Sequence, residues 1–158
     1  MNWLINRLHS FGPKTACFEN GKAWTYAELL SEIESEKSAP CGERIVPIES
    51  ESTFEGLAQL IAIAQSDRIA LPLSPELPES ERSRMQELAA DSPLYEQLET
   101  SGLILFSSGT SGEPKGMLHN LSALLNRFEQ VSPREDRTLQ LLLIDHIGGI
   151  DAAFRCLC

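Results

Sequence analysis

The sequence predicts an α/β fold in which a mostly parallel sheet is flanked by helices, and three observations lead to it. Short apolar runs alternate with amphipathic stretches along the chain, which is the order of elements in parallel-sheet proteins. The apolar runs are too short for helices and suit buried strands. An Asn-Gly pair between two short runs near the start is typical of a tight hairpin.

The first elements are predicted from turn and cap residues. Asn20 and Gly21 separate residues 15–18 from residues 23–25, which we expect to form the two hairpin strands. Thr25 then has the side chain of a helix N-cap, and Glu28 three residues later completes a capping box. The helix that begins there should end before Pro40.

The middle of the chain repeats strand and helix. Residues 44–48 predict a strand, and residues 53–65 predict a helix because their apolar side chains recur at helical spacing. Residues 69–73 predict a strand that a proline-rich turn ends, and residues 80–90 predict a polar-faced helix. After the apolar strand at residues 103–106 we expect a helix at 121–128, a strand at 138–144 and a helix beginning at 150–157.

Charge and cysteine content exclude several classes of function. The formal net charge is −10, which opposes general binding to nucleic acids, although residues 101–158 carry six acidic against five basic side chains and are nearly neutral. The four cysteines form no CxxC pair, so no metal site is predicted. Neither a signal peptide nor a bilayer-spanning run is evident, and we expect a cytoplasmic protein.

The most informative segment is residues 103–116, LILFSSGTSGEPKG. A buried strand here leads into a loop rich in hydroxyls and glycines, with Pro114 stiffening its exit and Lys115 as its cation. Glycines allow backbone N–H groups to approach a ligand closely, and hydroxyls and lysine donate well to phosphate oxygens. These properties predict a polyphosphate-binding loop.

Three other interpretations of this loop fit its sequence less well. A flexible Ser/Gly-rich surface loop has a similar composition, but this loop adjoins an apolar strand and holds a lysine between proline and glycine. A P-loop hydrolase requires Gly-Lys-Ser/Thr, whereas Pro114 precedes Lys115 here and Gly116 follows it. The glycine spacing is also wrong for a dinucleotide-binding fingerprint.

The segment FSSGTSGEPKG resembles the phosphate-loop signature of the acyl-adenylate-forming ligases, which include acyl-CoA synthetases, adenylation domains of peptide synthetases and luciferases. Other segments resemble the family's elements in the same order. They are WTYAEL at 24–29, GERIVPI at 42–48, IALPLSP at 69–75, MLH at 117–119 and LLIDHIGG at 142–149. The resemblance covers roughly residues 14–152.

The resemblance implies an AMP-forming ligase. The family's functional residues are assigned only to the positions of this sequence that match its motifs. A carboxylic acid, such as a fatty or other acyl acid, would attack the α-phosphorus of ATP, pyrophosphate would leave, and CoA or the pantetheine thiol of a carrier protein would take the acyl group. Mg²⁺ would accompany the phosphates. The residues expected to hold the phosphates are Ser107, Ser108, Gly109, Thr110, Ser111, Gly112 and Lys115. Lys115, Thr110 and His146 are the expected catalytic residues.

Two interpretations are open for each of His146 and Asp145. By the resemblance, His146 lines the acid site, whereas a histidine after an apolar strand is commonly a hydrogen-bonded structural residue. Asp145 stands where the family has an aromatic residue, and it either orients His146 or is a solvated or capping carboxylate.

The resemblance also implies that residues 1–158 are a truncated N-terminal AMP-binding domain, without the family's adenine-binding stretch, ribose-binding aspartate and C-terminal lid domain with its late lysine. We therefore expect an incomplete sheet, exposed apolar surface at residues 139–144 and after Ile150, and little activity from this fragment alone. The alternative is a non-catalytic truncated relative that binds nucleotide weakly or acts as a partner-dependent module.

Overall fold

The structure is a computed structural model that describes residues 1–38, 42–49, 53–91, 98–108, 114–133 and 143–158. Its helices are α1 (Asn2–Phe11), α2 (Tyr26–Ser38), α3 (Thr53–Ala64), α4 (Glu79–Ala90), α5 (Leu121–Asn126) and α6 (Ile147–Leu157). Its strands are β1 (Thr15–Glu19), β2 (Lys22–Thr25), β3 (Ile45–Ile48), β4 (Ile69–Pro72), β5 (Gly102–Ser108) and β6 (Pro114–Asn120).

The predicted hairpin and capping box are both present. Strands β1 and β2 pair antiparallel, and Asn20 and Gly21 have φ values of 51° and 77°, as this tight turn requires. The Thr25 hydroxyl accepts a hydrogen bond from the Glu28 backbone N–H at 3.1 Å, and the Glu28 carboxylate accepts one from the Thr25 N–H at 2.8 Å. These two bonds start α2 where the sequence predicted it.

The main sheet has the order β3-β4-β5-β6, and its first three strands are parallel. This confirms an α/β fold with a mostly parallel sheet. Strand β6 runs antiparallel to β5 and was not predicted. Pro114 is tolerated because it is the first residue of the strand, but Pro114 and Gly116 both weaken the strand pattern in the sequence.

Helices cover both faces of this sheet. Alternate strand residues face alternate sides: Ala70, Leu103 and Leu105 join the large core that contains α3, while Ile69, Leu71 and Ile104 join a smaller cluster with Ala89 of α4. Helix α3 is buried along nearly its whole length, from Phe54 to Ala64. It is therefore the central helix of the larger core.

The structure corrects the predictions for both ends of the chain. Helix α1, which was not predicted, inserts Leu4 and Leu8 into the core. The segment after Ile150 is not exposed as expected, since Ile150 and Phe154 of α6 are fully buried. Of the predicted strand at 138–144, residues 138–142 lie outside the described residues, and Ile144 lies in a turn, not a strand. None of the described helices is long and apolar enough to cross a bilayer.

Candidate nucleotide and acid site

Strands β5 and β6 bring two of the predicted phosphate-binding residues together. Ser107 pairs with Lys115, and Ser108 pairs with Pro114, at the carboxyl end of β5. Directly paired residues share a face of the sheet, with Cβ atoms about 5 Å apart. Both the Ser107 and the Lys115 side chains are exposed to solvent. A hydroxyl and an ammonium group therefore stand side by side at the mouth of the loop.

Lys115 occupies a different element from the one expected. The sequence predicts that Lys115 lies in the loop with Pro114 at the exit, whereas the structure places both residues in β6. The ladder of β5 and β6 thus fixes the backbone of Lys115 while its side chain remains free to extend. Gly109, Thr110, Ser111 and Gly112 lie outside the described residues.

His146 is the N-cap residue of α6, and its backbone does the capping. Its carbonyl oxygen accepts hydrogen bonds from the backbone N–H groups of Gly149 at 3.0 Å and Ile150 at 3.1 Å. The imidazole side chain is 67% exposed, and its Nε2 lies 3.8 Å from Asp145 Oδ1. The side chain therefore faces solvent beside the sheet edge and is not enclosed by a preformed pocket.

The Asp145 side chain faces inward instead, which the sequence did not predict. Its side chain is only 13% exposed, and its Oδ1 is buried without a hydrogen-bond partner within the described part of the chain. It lines a cleft together with seven other residues, namely Ile48, Thr53, Pro72, Leu73, Pro75, Leu143 and Ile144. The one signal in the sequence was that an aspartate stands where the family has an aromatic residue.

Gly56 of α3 allows the segment that carries Asp145 and His146 to approach the core. A Cβ atom at Gly56 would lie 2.1 Å from Ile144 Cδ1, which is far inside van der Waals contact. Ile144 is 6% exposed and packs over this bare stretch of helix. The absence of a side chain at Gly56 thus determines how deeply Ile144 is seated.

Sheet topology places the cleft and the loop at the same edge. Ile48 ends β3, Pro72 ends β4 and Ser108 ends β5, and the carboxyl ends of parallel strands lie together. Adjacent strands are about 4.8 Å apart, and the pairing of Ala70 with Leu103 makes β5 extend three residues, about 10 Å, beyond the level of Pro72, so the end of β5 projects past the cleft. Ligands of open α/β sheets bind outside this edge. The arrangement offers hydroxyl and ammonium groups that can donate hydrogen bonds on one side, and an apolar cleft with a carboxylate on the other.

The described residues near this edge offer few ligands for a metal ion bound by protein alone. Within the described ranges no group of three His, Cys, Asp or Glu side chains comes close enough to hold an ion. The nearby carboxylate of Glu49, just after β3, is bound by Arg82 at 3.2 Å and by Gln86 at 3.1 Å. Mg²⁺ commonly keeps waters and phosphate oxygens as ligands, which suits a site that supplies few carboxylates.

Comparison with known proteins gives one match in sequence. No family model matches the chain. A CoA ligase of Gibberella moniliformis is 26% identical over 206 aligned positions, which cover 90% of this chain and 34% of that ligase. The chain therefore spans about a third of the length of the curated relative that it matches.

Solved structures give stronger agreement in fold. The NpsA N-terminal subdomain of Klebsiella oxytoca, in complex with 3-hydroxyanthranilyl-AMSN, matches 99% of this chain with a TM-score of 0.77 and 17% identity. O-succinylbenzoate Coenzyme A Synthetase (MenE) of Bacillus subtilis, in complex with AMP, matches 99% with a TM-score of 0.71 and 19% identity. The inhibitor-bound N-terminal domain of FACL13 of Mycobacterium tuberculosis matches 98% with a TM-score of 0.68 and 15% identity.

The chain covers 50%, 53% and 54% of those three solved chains, respectively. The match extends over nearly the whole of this chain in every case, so the agreement includes the hairpin, the sheet and α6 together. The predicted resemblance of the chain to adenylate-forming ligases is thereby confirmed: it is similar in sequence to a CoA ligase and has the fold of the N-terminal part of such ligases.

Proposed function

We propose that residues 1–158 form part of the AMP-binding domain of an AMP-forming acid–thiol ligase. The observation that carries the proposal is the pairing of Ser107 with Lys115 at the end of β5, on either side of the loop GTSGE. The sequence of this loop supplies glycines, which let backbone N–H groups approach a ligand closely, and hydroxyls that donate to phosphate oxygens.

Each site residue has a role in this proposal. Ser107, Ser108, Thr110 and Ser111 donate hydroxyls to the β- and γ-phosphates, and Gly109 and Gly112 let the backbone N–H groups approach them. Lys115 offsets the negative charge that develops on departing pyrophosphate. Adenylate formation requires positioning and charge stabilisation, and no protein nucleophile is needed. Mg²⁺ would be held mainly by the phosphates and its own waters near these hydroxyls, and it would supply part of the charge stabilisation.

The acid and the thiol are proposed on the same basis. The carboxylic acid lies at the sheet edge near His146, whose exposed imidazole can reach a ligand bound there. CoA or a carrier-protein pantetheine thiol is the acceptor of the acyl group, and the family's lid domain would complete the reaction. The free thiols of Cys17, Cys156 and Cys158 suit a reducing compartment, and we place the protein in the cytoplasm.

Exchange of labelled pyrophosphate into ATP tests acid activation, and because residues 1–158 alone are expected to have little activity, the readout is weak exchange above the protein-free background. The exchange should depend on an added carboxylic acid, and Lys115→Ala should reduce it by at least about tenfold, the loss expected for one charged contact in the transition state. Lys14→Ala, which removes an equal charge from an exposed side chain in the turn before β1, is the matched control and should leave the rate unchanged. Acid-independent exchange would contradict the proposal. No exchange, with ATP binding retained, would favour the non-catalytic alternative.

A further inference from the structure

Lys115 differs from two other lysines of the chain in what surrounds its amine. The ammonium groups of Lys22 and Lys37 lie 3.9 Å and 2.8 Å, respectively, from a glutamate carboxylate. Lys115 and Lys14 are exposed and form no ion pair with the residues that the structure describes. The amines of Lys115 and Lys14 are therefore open to a reagent in solution.

The setting of Lys115, unlike that of Lys14, favours a reagent that carries a phosphate. Ser107 pairs with Lys115 across β5 and β6, so the hydroxyl and the amine lie on one face of the sheet. A phosphate that accepts a hydrogen bond from Ser107 lies within reach of the flexible four-carbon side chain of Lys115. The first hundred residues carry most of the net charge of −10, so the chain repels such an anion elsewhere.

An apolar surface lies next to Lys115 on the same face of β6. Residues two apart in a strand point to the same side, so Met117 follows Lys115 along this face. Met117 is 47% exposed, and its flexible thioether side chain adapts to varied apolar partners. An acyl group attached to the Lys115 amine can therefore leave water by packing against Met117.

We propose that Lys115 is an acylation site that takes an acyl group from a mixed carboxylic–phosphoric anhydride, the chemical class of the acyl-adenylate. The neutral Nζ attacks the carbonyl carbon and forms an amide bond, and the bond from that carbon to the phosphate oxygen breaks. The phosphate leaves, as AMP or as inorganic phosphate, and the proton of Nζ passes to solvent. The position of the phosphate beside Ser107 rests on the proposed function. The amide has no charge, so acylation of Lys115 would also end adenylate formation by the same chain.

Mass spectrometry of the acetylated chain tests this without ATP turnover, with Lys14 as the internal reference. The reagents are acetyl phosphate, acetyl-adenylate and N-hydroxysuccinimidyl acetate, a neutral ester without phosphate. The ratio of acetylated Lys115 to acetylated Lys14 with the ester corrects for any difference in the reactivity of the two amines. With an anhydride we expect this ratio to be at least about tenfold higher, a small part of the advantage that bound reactants have over free ones. An excess with either anhydride supports the proposal, and the larger excess identifies the source of the acyl group.

Two further measurements assign the excess to a phosphate held beside Ser107. Pyrophosphate should remove the excess by competition, whereas sodium chloride at the same ionic strength should not. Ser107→Ala should lower the excess at least about threefold, the effect of losing one neutral hydrogen bond. Ser31→Ala removes a hydroxyl from an exposed position on α2 and should preserve the excess.

Three results would overturn the proposal. Equal ratios with all three reagents would show that Lys115 is an ordinary exposed amine. Equal suppression by pyrophosphate and by salt would show general electrostatic attraction, and an excess unchanged in Ser107→Ala would place the phosphate elsewhere.

The neutral ester also separates this proposal from the proposed function. Protection of Lys115 from the ester by MgATP reports phosphate binding alone, because the ester itself needs no phosphate site. Protection without an anhydride excess overturns the acylation site only, whereas absence of protection counts against the proposed function.

Discussion

At the scale of single residues, the capping box formed by Thr25 and Glu28 makes a measurable contribution to the free energy of unfolding. The two hydrogen bonds that Thr25 donates lower the pKa of Glu28, because both favour the ionised carboxylate. A carboxylate with a lowered pKa in the folded state stabilises the protein above its unfolded pKa, and this stabilisation is lost as the pH falls through the folded pKa. Glu28→Gln should therefore destabilise the chain at neutral pH and have less effect in acid. Urea denaturation at both pH values measures this, and an equal effect at both would contradict it.

Cysteine reactivity is a second property at this scale. Burial, with a smaller contribution from Glu19, raises the pKa of the Cys17 thiol to about 11, and burial raises that of Cys158 to about 11 despite the nearby Arg7. Since the thiolate is the reactive form, both thiols should be alkylated slowly at neutral pH. Cys156 is exposed and should react before the other two cysteines that the structure describes. Mass spectrometry during iodoacetamide treatment follows the order, and early modification of Cys17 or Cys158 would contradict the burial described.

At the scale of elements, Gly56 and Ile144 form a coupled pair. Gly56→Ala brings its new methyl group against Ile144 Cδ1, an overpacking cost of about 1–3 kcal/mol. Alanine gains about 1 kcal/mol over glycine inside a helix, so the net loss should be up to about 2 kcal/mol. Ile144→Val removes that terminal atom and alone should cost about 1 kcal/mol. In the double variant the alanine methyl occupies the space left by Cδ1, so the combined loss should be smaller than the sum. Gly42→Ala is the control, because nothing lies within 4 Å of its Cβ position.

Denaturation of all four variants gives the interaction free energy of this pair. A strictly additive double variant would show that Ile144 does not pack over Gly56, and the inward position assigned to Asp145 would lose its support.

A single side chain joins the first helix to the end of the chain. The guanidinium group of Arg7 in α1 donates hydrogen bonds to four backbone carbonyls, those of Phe128, Glu129, Val131 and Cys158. Arg7→Lys keeps the charge but cannot reach all four acceptors in one plane. We expect a loss of about 1–2 kcal/mol in the free energy of unfolding, because three of these bonds are partly buried and one is exposed. A loss below about 0.5 kcal/mol, the level of a surface change, would contradict this role.

The elements that the sequence predicted well are those with strong local signals. Helix α3 was predicted within one residue of its end because its apolar side chains keep helical spacing, and the hairpin because Asn20 and Gly21 favour positive φ. Helix α1 was missed because Asn6, Arg7 and His9 interrupt its apolar residues. Which of Asp145 and His146 faces inward depends on the contact of Ile144 with α3, which lies far away in sequence and has no local signal.

At the scale of the whole molecule, the sequence predicts a phosphate-binding loop, and the structure shows the strands that precede and follow it. The hydroxyls, glycines and lysine of residues 107–115 were recognised from composition and resemblance. The position of Ser107 at the carboxyl edge of a parallel sheet, with β6 returning Lys115 beside it, depends on long-range pairing. The expected exposed apolar surface after Ile150 was wrong, because α1 and α6 close the core together.

The central claim is that this loop and Lys115 hold the phosphates of ATP, and calorimetric titration of the chain with MgATP tests it most directly. We expect saturable binding that Lys115→Ala combined with Thr110→Ala weakens by at least about tenfold, the effect of losing one charge-assisted hydrogen bond. Lys14→Ala should leave it unchanged. Binding of equal strength in the original chain and in the double variant would contradict the account.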